Sequence, residues 1–258
     1  MHLVDTHAHL YLKEFDHDIT QVIKRANDNR VKEFFLPCIS SKHIDSMYRL
    51  ENQFPNQIKL MIGLHPCSVT KDYKTELKWM KAQLEKRSFY AIGEIGLDYH
   101  WSKQFIKEQI KALENQILWA IGYNLPIVLH TRESFNDVYE IIEKHYQPSL
   151  KGVFHCFTGS LDQAKKAIDL GFKIGIGGVV TYKNGGLDKI LHEIPIESIV
   201  LETDAPYLSP SPFRGKRNEP SYLKYILEKV CECYQLDSKT LIEKTTQNAQ
   251  QLFGTSGL

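Results

Sequence analysis

The sequence predicts an α/β protein, a single (β/α)8 TIM barrel formed by residues 1–258 as one domain. Three observations lead there. The chain has 258 residues, long for an ordinary domain but normal for a barrel of this class, which needs about 250. Short apolar runs alternate with longer amphipathic ones almost end to end. The short runs also keep stopping in a histidine or a carboxylate, and in a parallel barrel such strand ends share one rim.

Taken in order, strands are expected over 2–5, 33–38, 59–63, 90–94, 126–130, 152–155, 172–177 and 198–203. Runs such as "YAIGE" and "ESIVLET" are short, β-rich and bounded by turn residues. Continuous apolar strands suit a parallel sheet buried on both faces. Helices are expected over 18–29, 42–52, 75–86, 103–123, 134–145, 160–170 and 186–190, with two more over 221–234 and 238–252. In the 103–123 segment Phe105, Ile106, Ile110, Leu113, Ile117 and Ala120 recur three and four apart, the period of one buried helix face. No Pro/Gly/Ser-rich linker or repeat marks a second domain, and the terminal "FGTSGL" reads as a frayed end.

Composition narrows the function classes. With 42% hydrophobic and 24% charged residues the chain can bury a sizeable core. A formal net charge of +1 is unlike that of a protein coating duplex DNA, though it permits a local basic patch. Five cysteines, Cys38, Cys67, Cys156, Cys231 and Cys233, are an odd number without paired CxxC motifs. Free thiols in a reducing cytoplasm fit better than a disulfide scaffold or a zinc ribbon. The start "MHLVDTHAHLYL" lacks the basic segment of a signal peptide, and no apolar run is long enough to span a membrane. No obligate protein partner is evident.

The strand ends carry the chemistry. Strand one ends in Asp5, His7 and His9; strand three in His65; strand four in Glu94 and Asp98; strand five in His130 and Arg132; strand six in His155; strand eight in Asp204. Polar groups at a barrel mouth cost free energy unless paired or bound, and one cation satisfies imidazole nitrogens and carboxylate oxygens together. His7 and His9 share one side of an extended chain because side chains alternate with period two. This predicts a metal site at the C-terminal rim of the strands. Four histidines and two carboxylates exceed what one tetrahedral ion needs, so two ions sharing a carboxylate fit better. Glu94, on the strand between the two groups of histidines, is the natural bridge.

Taken together, "DTHAHL", "GEIGLDYH", "LHTRE", "FHCFTGS" and "LETDAPYL", followed by "RGKRNEP", resemble the TatD family of metal-dependent deoxyribonucleases within the amidohydrolase superfamily. The resemblance runs in order from residue 5 to about residue 222. It implies a (β/α)8 barrel whose divalent metal centre hydrolyses DNA phosphodiesters, often from a 3′ end. Carried over residue by residue, it implies His7, His9, Glu94, His130, His155 and Asp204 as ligands of two divalent metal ions. Glu94 stands where many amidohydrolase relatives carry a carbamylated lysine, which favours the TatD branch. Magnesium or zinc is expected, with manganese or nickel as alternatives. Asp204 and Glu94 are the catalytic candidates, Asp204 as ligand and proton acceptor. His65, Arg132, Arg214, Arg217 and Asn218 are candidate contacts to single-stranded DNA ends; the basic loop after strand eight also carries Lys216.

Blander readings apply elsewhere. Asp98 is either an orienter of a ligand histidine or a helix cap. His17, His43, His145 and His192 read as surface residues, and Cys156 as packing. The glycines of "KIGIGG" read as a tight exit from strand seven. Two other functions compete: hydrolysis of another ester or amide bond at the same centre, and a non-catalytic DNA-binding scaffold. Fold alone does not separate them.

Overall fold

A computed structural model describes residues 2–101 and 103–254. Eight parallel strands run in chain order: β1 (Leu3–Asp5), β2 (Val31–Leu36), β3 (Ile58–Leu60), β4 (Ile92–Asp98), β5 (Ile127–Arg132), β6 (Gly152–Phe154), β7 (Lys173–Ile176) and β8 (Ile199–Leu201). They form two sheets, β1-β2-β3 and β4-β5-β6-β7-β8, where the sequence predicted one eight-stranded sheet. Isolated parallel bridges join Ile62 to Ile92 and Ala8 to Ala205, so each edge of one sheet meets an edge of the other. At the second seam the Thr6 N–H donates to Leu201 O and the Asp204 N–H to His7 O. The pairing breaks into bridges because β1, β3 and β8 are each only three residues long.

The helices are α1 (Ile19–Asp28), α2 (Ile44–Gln53), α3 (Tyr73–Leu84), α4 (Ile106–Tyr123), α5 (Phe135–Lys144), α6 (Leu161–Asp169), α7 (Leu187–Ile190), α8 (Leu223–Tyr234) and α9 (Ser238–Phe253). Ser160 opens α6 with a capping box to Gln163, and Asp237 caps α9 through the Thr240 N–H. The apolar face predicted on α4 is buried at Leu113, Ile117 and Ala120. That face also carries two buried glutamines. Gln116 brackets Leu64, accepting from its N–H at 2.6 Å and donating to its carbonyl at 3.3 Å, and Gln109 accepts from the Asp98 N–H at 3.0 Å. Both hold backbone beside the strand-end residues.

Two corrections concern the strands and the C-terminus. Strand four was expected to stop at Glu94; it runs on to Asp98, with Glu94 inside it. The register with β5 slips between Ile92 and Ile95, so one extra residue bulges and frees Glu94 from regular pairing. Gly96 permits the continuation: at φ 146° a Cβ there would lie 1.9 Å from His130 O. The frayed end predicted for "FGTSGL" fails at its start. Phe253 is buried and stacks on Phe35 with ring centroids 4.3 Å apart, and Gly254 ends α9 in the left-handed region. Residues 255–258 lie outside the described residues. Phe253 belongs to a second apolar cluster of Val4, Phe35, Met61, Ala91, Val128, Val153 and Val200, drawn from or beside seven strands and covered by Ala249 and Leu252 of α9. The helix ends where it does because its last turn closes that cluster.

Candidate metal centre

The residues at the strand ends converge. Around Glu94 Oε2 stand His7 Nε2 at 3.1 Å and His9 Nε2 at 3.6 Å. Asp204 Oδ1 lies 3.7 Å from the first nitrogen and 3.4 Å from the second, and the two nitrogens are 3.3 Å apart. Ligands held at ~2.1 Å by a tetrahedral ion stand about 3.4 Å from one another. Around Glu94 Oε1 stand His155 Nε2 at 2.8 Å, His130 Nδ1 at 2.9 Å and His65 Nε2 at 3.2 Å. Each oxygen of one carboxylate thus faces its own group of imidazoles, the arrangement expected of a bridge. All six predicted ligands lie together. His65, predicted as a substrate contact, joins the second group.

Hydrogen bonds decide which ring nitrogens carry lone pairs. The Tyr11 hydroxyl donates to Pro37 O at 2.7 Å, so it accepts from His9 Nδ1 at 2.9 Å. His9 Nε2 is then left unprotonated towards the carboxylates. Asp98 Oδ2 accepts from His130 Nε2 at 2.9 Å, so in the neutral ring Nδ1 carries the lone pair and faces Glu94. Asp98 Oδ1 accepts the His100 and Trp101 N–H groups of the following turn, both at 2.9 Å; it is thus the orienter of a histidine and not a helix cap, since α4 begins only at Ile106 with Phe105 at its N-cap. His65 is opposite in kind. Its Nδ1 accepts the Cys67 N–H at 3.0 Å, so Nε2 holds the proton and points a donor into the site. Lone pairs aimed at carboxylate oxygens in a buried site repel unless a cation lies between them, so this donor set fits divalent ions.

Without an ion, protons on the imidazoles take the place of cations beside the carboxylates. Burial alone would raise the Glu94 carboxyl, but the surrounding imidazoles, His155 first, hold it well below the usual range. Burial likewise opposes ionisation of Asp204, and the His9 hydrogen bond with the His7 and His155 charges lowers it nonetheless. Burial lowers His7 and His65. It would lower His130 too, but hydrogen bonds to Asp98 and Glu94 raise that ring. Asp5 takes no part in the cluster: burial lifts its carboxyl to about 7, and it accepts the Thr203 N–H at 2.9 Å and hydroxyl at 2.6 Å.

Sequence reasoning missed two supports. Tyr11 is one; its alternation with His7 and His9 along "HAHLY" was the available signal. The other is Glu202, buried beneath the site, whose Oε1 accepts the Cys156 N–H and lies 3.6 Å from His155 Nδ1. Gly175 makes room for it, since a Cβ there would sit 2.6 Å from Glu202 Oε2. That is a second use of the "KIGIGG" glycines, beyond a tight exit.

The predicted substrate contacts divide. Arg132 and Arg214 are exposed, with guanidinium carbons 5.8 Å from the Trp101 ring centroid and 3.9 Å from that of Tyr182. Arg217 and Asn218 are corrected. Arg217 is committed to Asp18 at 2.7 and 2.8 Å and to Glu14 O, and stacks on Phe15. Asn218 is fully buried, and its amide spans Thr203 O and Tyr207 O. Both anchor the loop after β8, and neither is free for a substrate. His17 and His192 are exposed as expected, whereas His43 and His145 are half-buried, His43 lying against Tyr11.

Comparison with known proteins follows the geometry. A sequence profile of the TatD related DNase family matches residues 4–254. Metal-dependent hydrolase YabD of Bacillus subtilis is 37% identical over 252 residues, covering 97% of this chain and 98% of its own. Metal-dependent hydrolase BU355 of Buchnera aphidicola is 35% identical, covering 98% and 99%. The crystal structure of YjjV, a TatD homologue from Escherichia coli, superimposes with a TM-score of 0.93 at 28% identity, covering 98% of each chain. With this match along nearly its whole length, the chain belongs to the TatD family of metal-dependent hydrolases.

Proposed function

We propose that the two sheets act as one (β/α)8 barrel, a single domain plugged below by α9, whose rim holds two divalent cations and hydrolyses DNA phosphodiesters at single-stranded ends in the 3′ to 5′ direction. The observation that carries the reading is Glu94, with one oxygen turned to His7 and His9 and the other to His130 and His155. The bridges Ile62–Ile92 and Ala8–Ala205 support closure.

His7, His9, Asp204 and Glu94 would hold one ion, and His130, His155 and Glu94 the other. Ions held there supply Lewis-acid stabilisation of phosphoryl charge and make water acidic near neutral pH. Asp204 is kept ionised among the histidines and can take a proton from an attacking water. His65 Nε2–H points a donor into the site for a phosphoryl oxygen. Arg132 and Arg214 offer guanidinium groups to flanking phosphates. Five free cysteines support a reducing, cytoplasmic setting, and among the described residues no helix is long and apolar enough to cross a membrane.

The test digests end-labelled single- and double-stranded oligonucleotides with metal-stripped protein and a panel of divalent ions, with Glu94→Ala as control. The expected result is stepwise loss from the 3′ end of single strands, dependent on added metal and absent in Glu94→Ala. Full activity after complete metal removal would overturn the mechanism. Cleavage of a simple carboxylic ester but no DNA would move the reading to ester hydrolysis.

A further inference from the structure

Two large aromatic side chains stand exposed beside the cluster, one on each side. Trp101 is 70% exposed on the loop after β4, and Tyr207 is 50% exposed on the loop after β8. A single exposed aromatic needs no explanation. The backbone of each is tied to a residue of the candidate centre. Trp101 donates its backbone N–H to Asp98 Oδ1, while the other oxygen of that carboxylate receives His130. Tyr207 donates its N–H to Asp204 O at 2.8 Å, and its ring centroid lies 6.0 Å from that of His9. Each aromatic sits three residues beyond a carboxylate of the centre.

The Trp101 ring also has two neighbours. His100 meets it edge-on, with centroids 5.2 Å apart at 88°, and is itself tied to Glu133 at 2.9 Å. The Arg132 guanidinium lies over the indole, 5.8 Å from its centroid. Arg132 and His130 lie two apart on β5 and share a strand face. Asp98 thus links the Trp101 backbone to the His130 ring, while the indole itself packs against Arg132 and His100. A largely exposed flat ring with a guanidinium against it matches an unpaired nucleobase followed by its phosphate.

We propose that Trp101 is the stacking platform for a nucleobase next to the scissile phosphate, and that it sets the preference for unpaired ends. The inference rests on the reading of the protein as a DNA hydrolase. A base inside a duplex is covered by its neighbours and cannot offer a face to the indole without first leaving the stack. Arg132 holds the phosphate adjoining the stacked base, and Tyr207 is the corresponding surface on the Asp204 side.

The test compares wild type, Trp101→Ala and Trp101→Tyr on single-stranded oligonucleotides with either an intact terminal region or abasic sites there. Trp101→Ala is expected to raise KM on intact strands about 5- to 150-fold, the range of one base–aromatic stack, with kcat nearly unchanged. Trp101→Tyr should recover most of the loss, and the abasic strand should bind wild type and Trp101→Ala equally. Equal losses on intact and abasic strands, a fall in kcat alone, or no change would overturn the proposal. Tryptophan fluorescence quenching by oligothymidylate, read by stopped flow before turnover, separates this idea from the nuclease reading. Quenching lost in Trp101→Ala without any DNA cleavage by wild type would sink the nuclease reading and leave the platform standing. Cleavage with quenching unaltered in Trp101→Ala would sink the platform alone, and absence of both quenching and cleavage in wild type would sink both.

Discussion

Tyr11→Phe isolates the device that presents His9 to the centre. The substitution removes one oxygen and leaves the ring. That oxygen donates to Pro37 O at 2.7 Å and accepts from His9 Nδ1 at 2.9 Å, and the tyrosine is buried. Without it, Pro37 O loses a donor and the His9 Nδ1–H loses its acceptor. Each unsatisfied group costs ~1–3 kcal/mol, reduced where a neighbour or water moves in. A net loss of ~2 kcal/mol lowers Tm by roughly 4–8 °C in a chain of this size. The second effect is on the tautomer. The proton is no longer held on Nδ1, so His9 Nε2 is unprotonated for only part of the population, and its ring can rotate. Losing such an orienting partner costs about 10- to 100-fold in metal affinity, or ~1.4–2.7 kcal/mol. Calorimetric titration of metal-stripped protein with zinc or manganese reads the affinity, and melting in a chelator reads the fold. The expected outcome is a weakened affinity at one of two positions, with the protein still folded. A folded variant binding both ions within twofold of wild type would refute the tautomer argument.

Three further outcomes follow from the same geometry. Gly175→Ala places a Cβ 2.6 Å from Glu202 Oε2 and 3.0 Å from the His155 backbone, so it should cost ~1–3 kcal/mol in denaturant unfolding and weaken metal binding at the His155 side; wild-type stability and affinity would show that the pocket beneath His155 is slack. Asp18 is held down to about 2, first by its hydrogen bond to Arg217, so its ion pair contributes fully above the unfolded pKa near 3.8 and is lost as pH falls through about 2; carboxyl NMR titration of Arg217→Ala should find it raised, and an unshifted Asp18 would exclude Arg217 as the cause. Asn218→Ala removes donors from Thr203 O and Tyr207 O and should lower Tm by several degrees, whereas Arg214→Ala should spare Tm and raise KM for DNA; the reverse pattern would return Asn218 to the substrate surface.

The sequence by itself determined the eight alternations of strand and helix, because apolar period is a local property that survives without any knowledge of neighbours. It determined the rim as well: His7, His9, His155 and Asp204 follow strand ends, His130 lies near the end of β5, and parallel strands bring their C-terminal ends to one side. Even the place of Glu94 between two groups of histidines followed from strand order. Only the tertiary structure decided how it reaches that place, through a bulge in β4 that depends on its register against β5. It alone showed that Tyr11 reaches Pro37 and that Glu202 lies under His155, contacts made across strands distant in sequence. It also withdrew Arg217 and Asn218 from the substrate. A basic or amide residue in a loop reads the same whether its polar atoms face solvent or are already spent, and for these two they are spent on Asp18 and on two backbone carbonyls. Residue type and spacing name the groups able to do chemistry, while the partners that occupy or orient them are set by long-range packing.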